Sequence, residues 1–515
     1  MIAIRGDIVE LEFDLKDKFI KVLTPSNKEL RVPTFLKSNG KVAIRFIAKE
    51  AGNYIIDSKR VEVKDSNYKE KKLKLSKDKS YLELDNKPFF WLSDTWWMAL
   101  SGRLEFEEFK KLAKIRKKQG FNVIQLVAGL FPDMDSFDKR GANRGGFAWQ
   151  SNYKEINPAF FDEAEEKIKY LYELGFQIAL VGSWGYYLEK MGIDKIKEHW
   201  RYLIARWGVY CSIYIAAGEA TMPYYLSTKR ESESKSLKSG WSEVVKYIKE
   251  IDIFDNILTI HPIESSLYEV KDVNLIDINL LQASHVSYES VKRGVKLLED
   301  TSSRKLTIID EINYEGILRD NHDGVIRLSF WKSILNGSKG FGYGANGIWQ
   351  VNRDHMPFGE SPSGAAWGDI SYNEAIEFKG AKDIAKSKEF LEDFEWWRLK
   401  RVNIIDSNDD IKEPTVATID NKIYIAYFYN PIAPWDKHYT FNLEPNSKYR
   451  YYYFCPNTYL KSKTKEFITN SSGKWEMQRP PSLDDWVLII EIINKNVSIK
   501  SGSLFTKIKR FITKI

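Results

Sequence analysis

Ile213-Tyr214-Ile215-Ala216-Ala217-Gly218-Glu219 is a short apolar run that closes on a carboxylate, and Leu306-Thr307-Ile308-Ile309-Asp310-Glu311 repeats the design further along. Each reads as a buried strand bounded by polar residues. Counted from Phe89, they are the fourth and seventh of eight such runs. The others are Phe89-Phe90-Trp91-Leu92, Val123-Ile124-Gln125-Leu126-Val127, Gln177-Ile178-Ala179-Leu180-Val181, Ile257-Leu258-Thr259-Ile260, Leu275-Ile276-Asp277-Ile278-Asn279-Leu280 and Gly340-Phe341-Gly342-Tyr343. Helical patterns lie between most of them, as at 106–119, 158–174 and 240–251. Alternation of this kind builds parallel sheets, and eight units count out to a (β/α)8 TIM barrel of class α/β. An open doubly wound sheet is the alternative, but no Gly-x-Gly-x-x-Gly follows any early strand. In a barrel every strand delivers its last residue to one face, so Glu219 and Glu311 are expected to converge.

The flanks have a different rhythm. Residues 1–68 hold short alternating runs such as Ile8-Val9-Glu10-Leu11-Glu12-Phe13 and Val42-Ala43-Ile44-Arg45-Phe46, separated by turn residues. This predicts an N-terminal antiparallel β-sandwich, then a charged connector over 64–79 and the barrel over 78–400. After a helical stretch at 374–399 the alternation returns at 415–419, 423–428, 449–454 and 486–493, predicting a second β-sandwich over 401–498. In the tail, 499–515, Leu504, Phe505, Ile508, Phe511, Ile512 and Ile515 share one helical face, and Lys507, Lys509, Arg510 and Lys514 take the rest. Such a basic amphipathic helix either packs on the preceding sandwich or lies on an anionic membrane surface.

Composition narrows the function classes. The 515 residues carry a net charge of +7 from 78 basic and 71 acidic side chains, with no concentrated basic stripe, so no nucleic-acid partner is expected. Cys211 and Cys455 lie far apart, which excludes a disulfide framework, and the six histidines include no His-x-x-x-His pair, so no metal is expected. A serine-hydrolase Gly-x-Ser-x-Gly elbow is absent. The N-terminus shows no export leader, and the expectation is a cytoplasmic protein, membrane-peripheral if the tail docks. Aromatics make up 14% of residues, including 16 Trp; they fill a core or stack on sugar rings.

Two converging carboxyls are the equipment for hydrolysing a glycosidic bond. Glu219, beside small apolar neighbours, suits a proton donor with a raised pKa, although it could also cap the following helix. Glu311 suits a nucleophile, with Tyr314 near enough to hydrogen-bond it, and Glu315 could fix a sugar hydroxyl or cap a helix. Other strand ends add a polar and aromatic rim that predicts a carbohydrate substrate. Its members are Asp94 and Trp96 after the first strand, Gln125 in the second, Trp184 after the third and His261 after the fifth. Gln282 and His285 follow the sixth strand, and Asn346 and Trp349 the eighth.

Several blocks resemble the apiosidase-like catalytic domain, a (β/α)8 glycoside hydrolase group that includes family 140. They are Phe90-Trp91-Leu92-Ser93-Asp94-Thr95-Trp96-Trp97, Gly120-Phe121-Asn122-Val123-Ile124-Gln125, Gln282-Ala283-Ser284-His285, Asp310-Glu311-Ile312-Asn313-Tyr314-Glu315-Gly316 and Gly342-Tyr343-Gly344-Ala345-Asn346-Gly347-Ile348-Trp349. The flanks resemble the immunoglobulin-like N-terminal domain and the C-terminal domain that carries a collagen-binding label in such proteins. The resemblance implies a retaining glycosidase without a cofactor, with Glu219 as acid and Glu311 as nucleophile. Many relatives read Gly-Gly-Asp where this chain has Ala217-Gly218-Glu219, and Pro where it has Ile312, so apiose is not carried over as substrate. An oligosaccharide of the cell's own surface-polysaccharide pathway fits the absent leader. The competing readings are a non-catalytic carbohydrate-binding or scaffold protein on a degenerate barrel, and an inverting hydrolase.

Overall fold

The computed structural model describes residues 1–14, 17–405, 413–429 and 439–495. The chain divides into two compact units, one spanning Met1–Trp397 and the other starting at Arg398. At the centre of the first unit stand eight parallel strands: Trp91–Thr95, Val123–Val127, Gln177–Val181, Ile213–Ile215, Ile257–Thr259, Asn279–Gln282, Thr307–Glu311 and Gly340–Tyr343. They follow chain order around the sheet, and the eighth pairs with the first. The ladder between the first two strands sets Thr95, the last residue of the first, beside Gln125 in the middle of the second. Nearly every strand residue is buried, as expected when side chains fill the barrel on one face and helices cover the other.

The ring is laced rather than laddered between strands 5 and 6. The Ser266 hydroxyl donates to Ile260 O at 2.6 Å and accepts from Leu280 N at 2.9 Å, and Thr259 Oγ1 donates to Ile278 O at 2.8 Å. A side-chain hydroxyl thus satisfies backbone groups that a ladder would otherwise pair.

Three boundaries differ from the sequence expectation. Phe89 belongs to a hairpin, Leu82–Leu84 with Lys87–Phe89, whose Asp85 and Asn86 turn residues have φ of 54° and 58°, and the first barrel strand starts at Trp91. Positive φ at both turn positions matches the twist of the flanking strands. The third strand of that small sheet, Leu73–Leu75, comes from the expected connector. The sixth barrel strand starts at Asn279, because Val273–Leu275 forms a 3₁₀ turn capped by Asp272. The helical stretch 374–399 is broken into Tyr372–Ala375, Lys379–Leu391 and a terminal 3₁₀ turn.

The N-terminal sandwich shares the barrel's compact unit. Its five-stranded sheet runs Ile2–Ile4, Lys59–Lys64, Gly52–Ile56, Phe19–Leu23, Glu29–Pro33; the first pair is parallel, where an all-antiparallel arrangement was expected. Ile8–Phe13, Val42–Ile47 and Phe35–Leu36 form the facing sheet, and Val9, Val22, Ile44, Phe46 and Ile56 fill the space between. Arg45 leaves this sheet to grip the barrel, donating to both oxygens of Glu165 (2.7 and 3.0 Å) and to Arg206 O at 2.6 Å. Arg206 Nε donates to the same carboxylate at 2.7 Å.

In the second unit a six-stranded antiparallel sheet runs Lys400–Arg401, Thr415–Ile419, Ile423–Phe428, Trp486–Asn494, Lys448–Phe454, Lys465–Ile468, with a two-stranded ribbon of Thr440–Asn442 and Lys474–Glu476. Its core is aromatic, with Phe467 stacked on Trp475 at 4.1 Å. The amphipathic tail expected over 499–515 lies outside the described residues. No described helix is long and apolar enough to cross a membrane.

Candidate active site

A cavity of about 320 Å³ opens at the C-terminal end of the barrel strands, lined among others by Trp97, Asp133, Trp184, Glu219, Gln282, His285, Glu311, Tyr314, Trp349 and Trp367. Glu219 follows strand 4 with φ of 42°, a conformation a side-chain-bearing residue holds only when its surroundings impose it. Those surroundings are visible. Gly218 donates to Ser183 O at 2.9 Å and accepts from Gly185 N at 2.7 Å, and Ala220 N donates to His261 O at 3.2 Å. Residue 218 must be glycine, because a Cβ there would sit 2.3 Å from the Trp184 ring. The same ring donates Nε1–H to Glu219 Oε2 at 3.1 Å.

Glu311 ends strand 7 and is more heavily bonded. Its Oε2 accepts from the Tyr314 hydroxyl at 2.6 Å and lies 3.3 Å from His261 Nε2, and its Oε1 is 3.2 Å from His285 Nε2. His285 Nδ1 accepts from the backbone N–H of Tyr314, so the proton on Nε2 points at the carboxylate. One amide nitrogen serves both acids: Gln282 Nε2 donates to Glu219 Oε1 at 3.0 Å and to Glu311 Oε1 at 2.9 Å. Those two oxygens therefore stand no more than about 6 Å apart, the sum of the two contacts.

These environments push the two acids in opposite directions. Burial, reinforced by the charge of Glu311, pushes the Glu219 carboxyl up to about 7. Glu311 is more deeply buried, but the hydrogen bonds of His261 and His285 and the charge of His261 outweigh that burial and hold it well below the usual carboxylate range. One acid keeps its proton near neutrality and the other is ionised, the division of labour that acid–base catalysis with two carboxyls requires. Behind them, Asp310 faces the barrel interior, accepting from Trp91 Nε1, Ser93 Oγ and Gln125 Nε2 at 3.0–3.2 Å, and burial pushes it up to about 6. Among the described residues no group of three or more His, Cys, Asp or Glu is arranged to hold a metal ion.

The family model for the apiosidase-like catalytic domain matches residues 76–398. The chain belongs to the apiosidase-like family. Its barrel is that family's catalytic domain, a glycosidase. Comparison with curated proteins gave no match. A solved structure described as a glycoside hydrolase has a TM-score of 0.66 at 20% identity, covering 82% of this chain and 96% of its own. A glycoside hydrolase family 5 structure from Bacteroides vulgatus gives 0.66 at 21%, covering 85% and 98%. A candidate glycoside hydrolase from the same organism gives 0.63 at 14%, covering 96% and 100%. At these identities the likeness is one of fold.

Within this apiosidase-like barrel, Glu219, Glu311, Trp184, Gln282, His285, Tyr314 and Trp349 come together around the cavity. His261 sits beneath it, fully buried, with its ring against Trp97 and Trp184. Besides His261, five expected substrate ligands do not reach the cavity. Asp94 is sealed in the core, accepting from Arg116 Nε at 2.6 Å, Trp96 Nε1 at 2.7 Å and its neighbour Thr95 N at 2.9 Å. Trp96 turns outward against Phe109 of the first barrel helix, and Gln125 points at Asp310. Glu315 accepts from the Tyr343 hydroxyl at 2.7 Å and from Gly380 N at 3.0 Å, as a buried brace. Asn346 holds a loop, donating to Trp367 O at 2.8 Å.

The cavity also has members that the sequence reading did not select. Trp97 is the inward neighbour of Trp96, two residues past the end of the first strand at Thr95. Asp133 enters from the loop after strand 2 with φ of 54° and accepts from Trp367 Nε1 at 2.8 Å. Tyr225 lies six residues beyond Glu219, and Trp367 arrives on an irregular segment with no periodicity to announce it.

Proposed function

We propose that the protein cleaves a glycosidic bond of an oligo- or polysaccharide with retention of configuration. The observation that carries this reading is the amide nitrogen of Gln282 shared by the two acids. Its contacts keep their facing oxygens within about 6 Å, which admits the ~5–5.5 Å typical of retaining enzymes and falls short of the ~6.5–9.5 Å that leaves room for water in inverting ones. Glu219, with its raised pKa, donates its proton to the glycosidic oxygen as the bond to the anomeric carbon breaks. Ionised Glu311 attacks that carbon and forms a glycosyl ester. Glu219, now a carboxylate, takes a proton from water as the water oxygen displaces Glu311, which restores both groups. Trp97, Trp184, Trp349 and Trp367 supply faces for the sugar ring, and Asp133 a carboxylate for its hydroxyls.

The test is turnover of a broad panel of aryl glycosides and extracted polysaccharides by wild type, Glu219→Gln and Glu311→Gln. The reading predicts turnover by wild type, with both variants folded and severely impaired. Binding without turnover in all three would contradict it and indicate a sugar-binding barrel.

A further inference from the structure

The two sides of the cavity mouth are built from different materials. Of the six large apolar side chains that the barrel leaves exposed, five follow strands 4 to 7: Leu226, Ile263, Tyr268, Val286 and Leu318. The sixth, Tyr172, closes the helix that leads into strand 3, at the opposite end. No exposed large apolar side chain follows strands 8, 1, 2 or 3, where Trp349, Trp367, Trp97, Asp133 and Trp184 turn inward. On the strand 4–7 arc Gln282, His285 and Tyr314 sit on the floor, bonded to the acids, and the wall above them carries Met222, Ile263 and Ile317 beside Tyr225, Ser284 and Arg293. Leu226, Val286 and Leu318 directly follow the cavity residues Tyr225, His285 and Ile317 and are 55–60% exposed. Two ion pairs, Arg293–Glu264 and Arg319–Asp369, each at 2.7 Å, add a polar border.

Exposed apolar patches bordered by polar residues mark binding surfaces. The position of this one names its occupant. The proton donor delivers to the glycosidic oxygen, so the leaving group departs past Glu219 and the loop carrying Met222, Tyr225 and Leu226. A sugar reaching out of the cavity would call for hydrogen-bonding groups, whereas Leu226, Val286 and Leu318 offer methyl and methylene groups, which fit a hydrocarbon. We infer that the natural leaving group is apolar, so the substrate is a sugar or sugar chain joined to a lipid-like alcohol. This rests on the hydrolytic reading above and adds its substrate class. The chemistry is unchanged: the C–O bond breaks, and the alcohol leaves with the proton of Glu219.

The experiment is a chain-length series of alkyl glycosides, methyl to dodecyl, of the sugar found with the aryl panel, kept below micelle-forming concentrations. Wild type is compared with a Leu226→Ser, Val286→Ser, Leu318→Ser triple variant, all at exposed positions outside the catalytic machinery. The expected result is a rise in kcat/KM of about two- to fourfold for each methylene buried, up to the reach of the collar. In the triple variant the rise is largely lost while methyl glycoside turnover is unchanged. A flat series in wild type, or an equal rise in both proteins, would overturn the inference and leave the hydrolytic reading standing. If no glycoside is turned over, the hydrolytic reading fails, and the same series is read by tryptophan fluorescence. Affinity rising with chain length in wild type alone supports the apolar site, and uniform affinity overturns it. Collar-dependent binding to phosphatidylcholine vesicles with a flat glycoside series also overturns it, in favour of a membrane-docking face.

Discussion

Two glutamates of the same compact unit have opposite electrostatics. Glu165, where the N-terminal sandwich meets the barrel, is held by Arg45 and Arg206, with Lys169 at 2.8 Å. Burial opposes its ionisation, but the Arg45 hydrogen bond and the two arginine charges outweigh that and bring it down to about 2. Glu219, half-buried in the cavity wall, has only the neutral donors Trp184 and Gln282, with an anionic neighbour in Glu311, and rises to about 7. Cations fix a structural carboxylate in one protonation state. Neutral donors hold a carboxyl in place while leaving its proton free to move, as acid–base work requires.

Breaking the catalytic side of this contrast gives the largest effect. Glu311→Gln should lower kcat by about 10⁴-fold or more with little change in melting temperature, read by kinetics and calorimetry on the same preparation. The structural side should fail in the opposite way. Glu165→Gln leaves Arg45 with Glu10 and Arg206 with Asp162 as their remaining carboxylate partners, and should cost about 2–3 kcal/mol in denaturant unfolding, with pH optimum unmoved. Because its folded pKa is depressed, Glu165 contributes stability fully above about 4.5 and loses it as pH falls from there towards 2. The variant should lack that acid-dependent loss. Asp94→Asn, beside buried Arg116, belongs to the same class and should cost about 3 kcal/mol with KM unchanged. A raised KM at native stability would return Asp94 to the substrate.

The contrast sharpens in pH profiles. The reactive form needs Glu311 ionised and Glu219 protonated, so kcat/KM should fall as pH rises through about 7, while the acid limb lies below the usual carboxylate range. Gln282→Leu removes a hydrogen bond that favours the ionised form of Glu219, so the alkaline limb should move to higher pH, by up to about one unit. An unmoved limb would assign that limb to another group.

Much of this was legible in the chain because barrel strands are buried on both faces. Six of the eight apolar runs overlap their strands closely, and a strand-ending Glu in an apolar run is hard to read another way. What failed was direction and distance. Asp94 and Trp96 stand at a strand end as a sugar ligand would, but Arg116, one residue of a helix with an unremarkable pattern, draws Asp94 into the core. Trp96 and Trp97 differ by one step in a two-residue alternation, which the sequence does not phase once the strand ends at Thr95. Trp367 reaches the site from an irregular loop, positioned by Asn346 and Asp133, and no local pattern encodes such a long-range contact.

The most direct test of the central claim is the anomer first released from a glycoside that wild type turns over, followed by proton NMR before mutarotation. Two acids held by one amide nitrogen predict the same anomeric configuration as the substrate. Release of the opposite anomer would contradict the account and make Glu311 a base acting on water instead of a nucleophile.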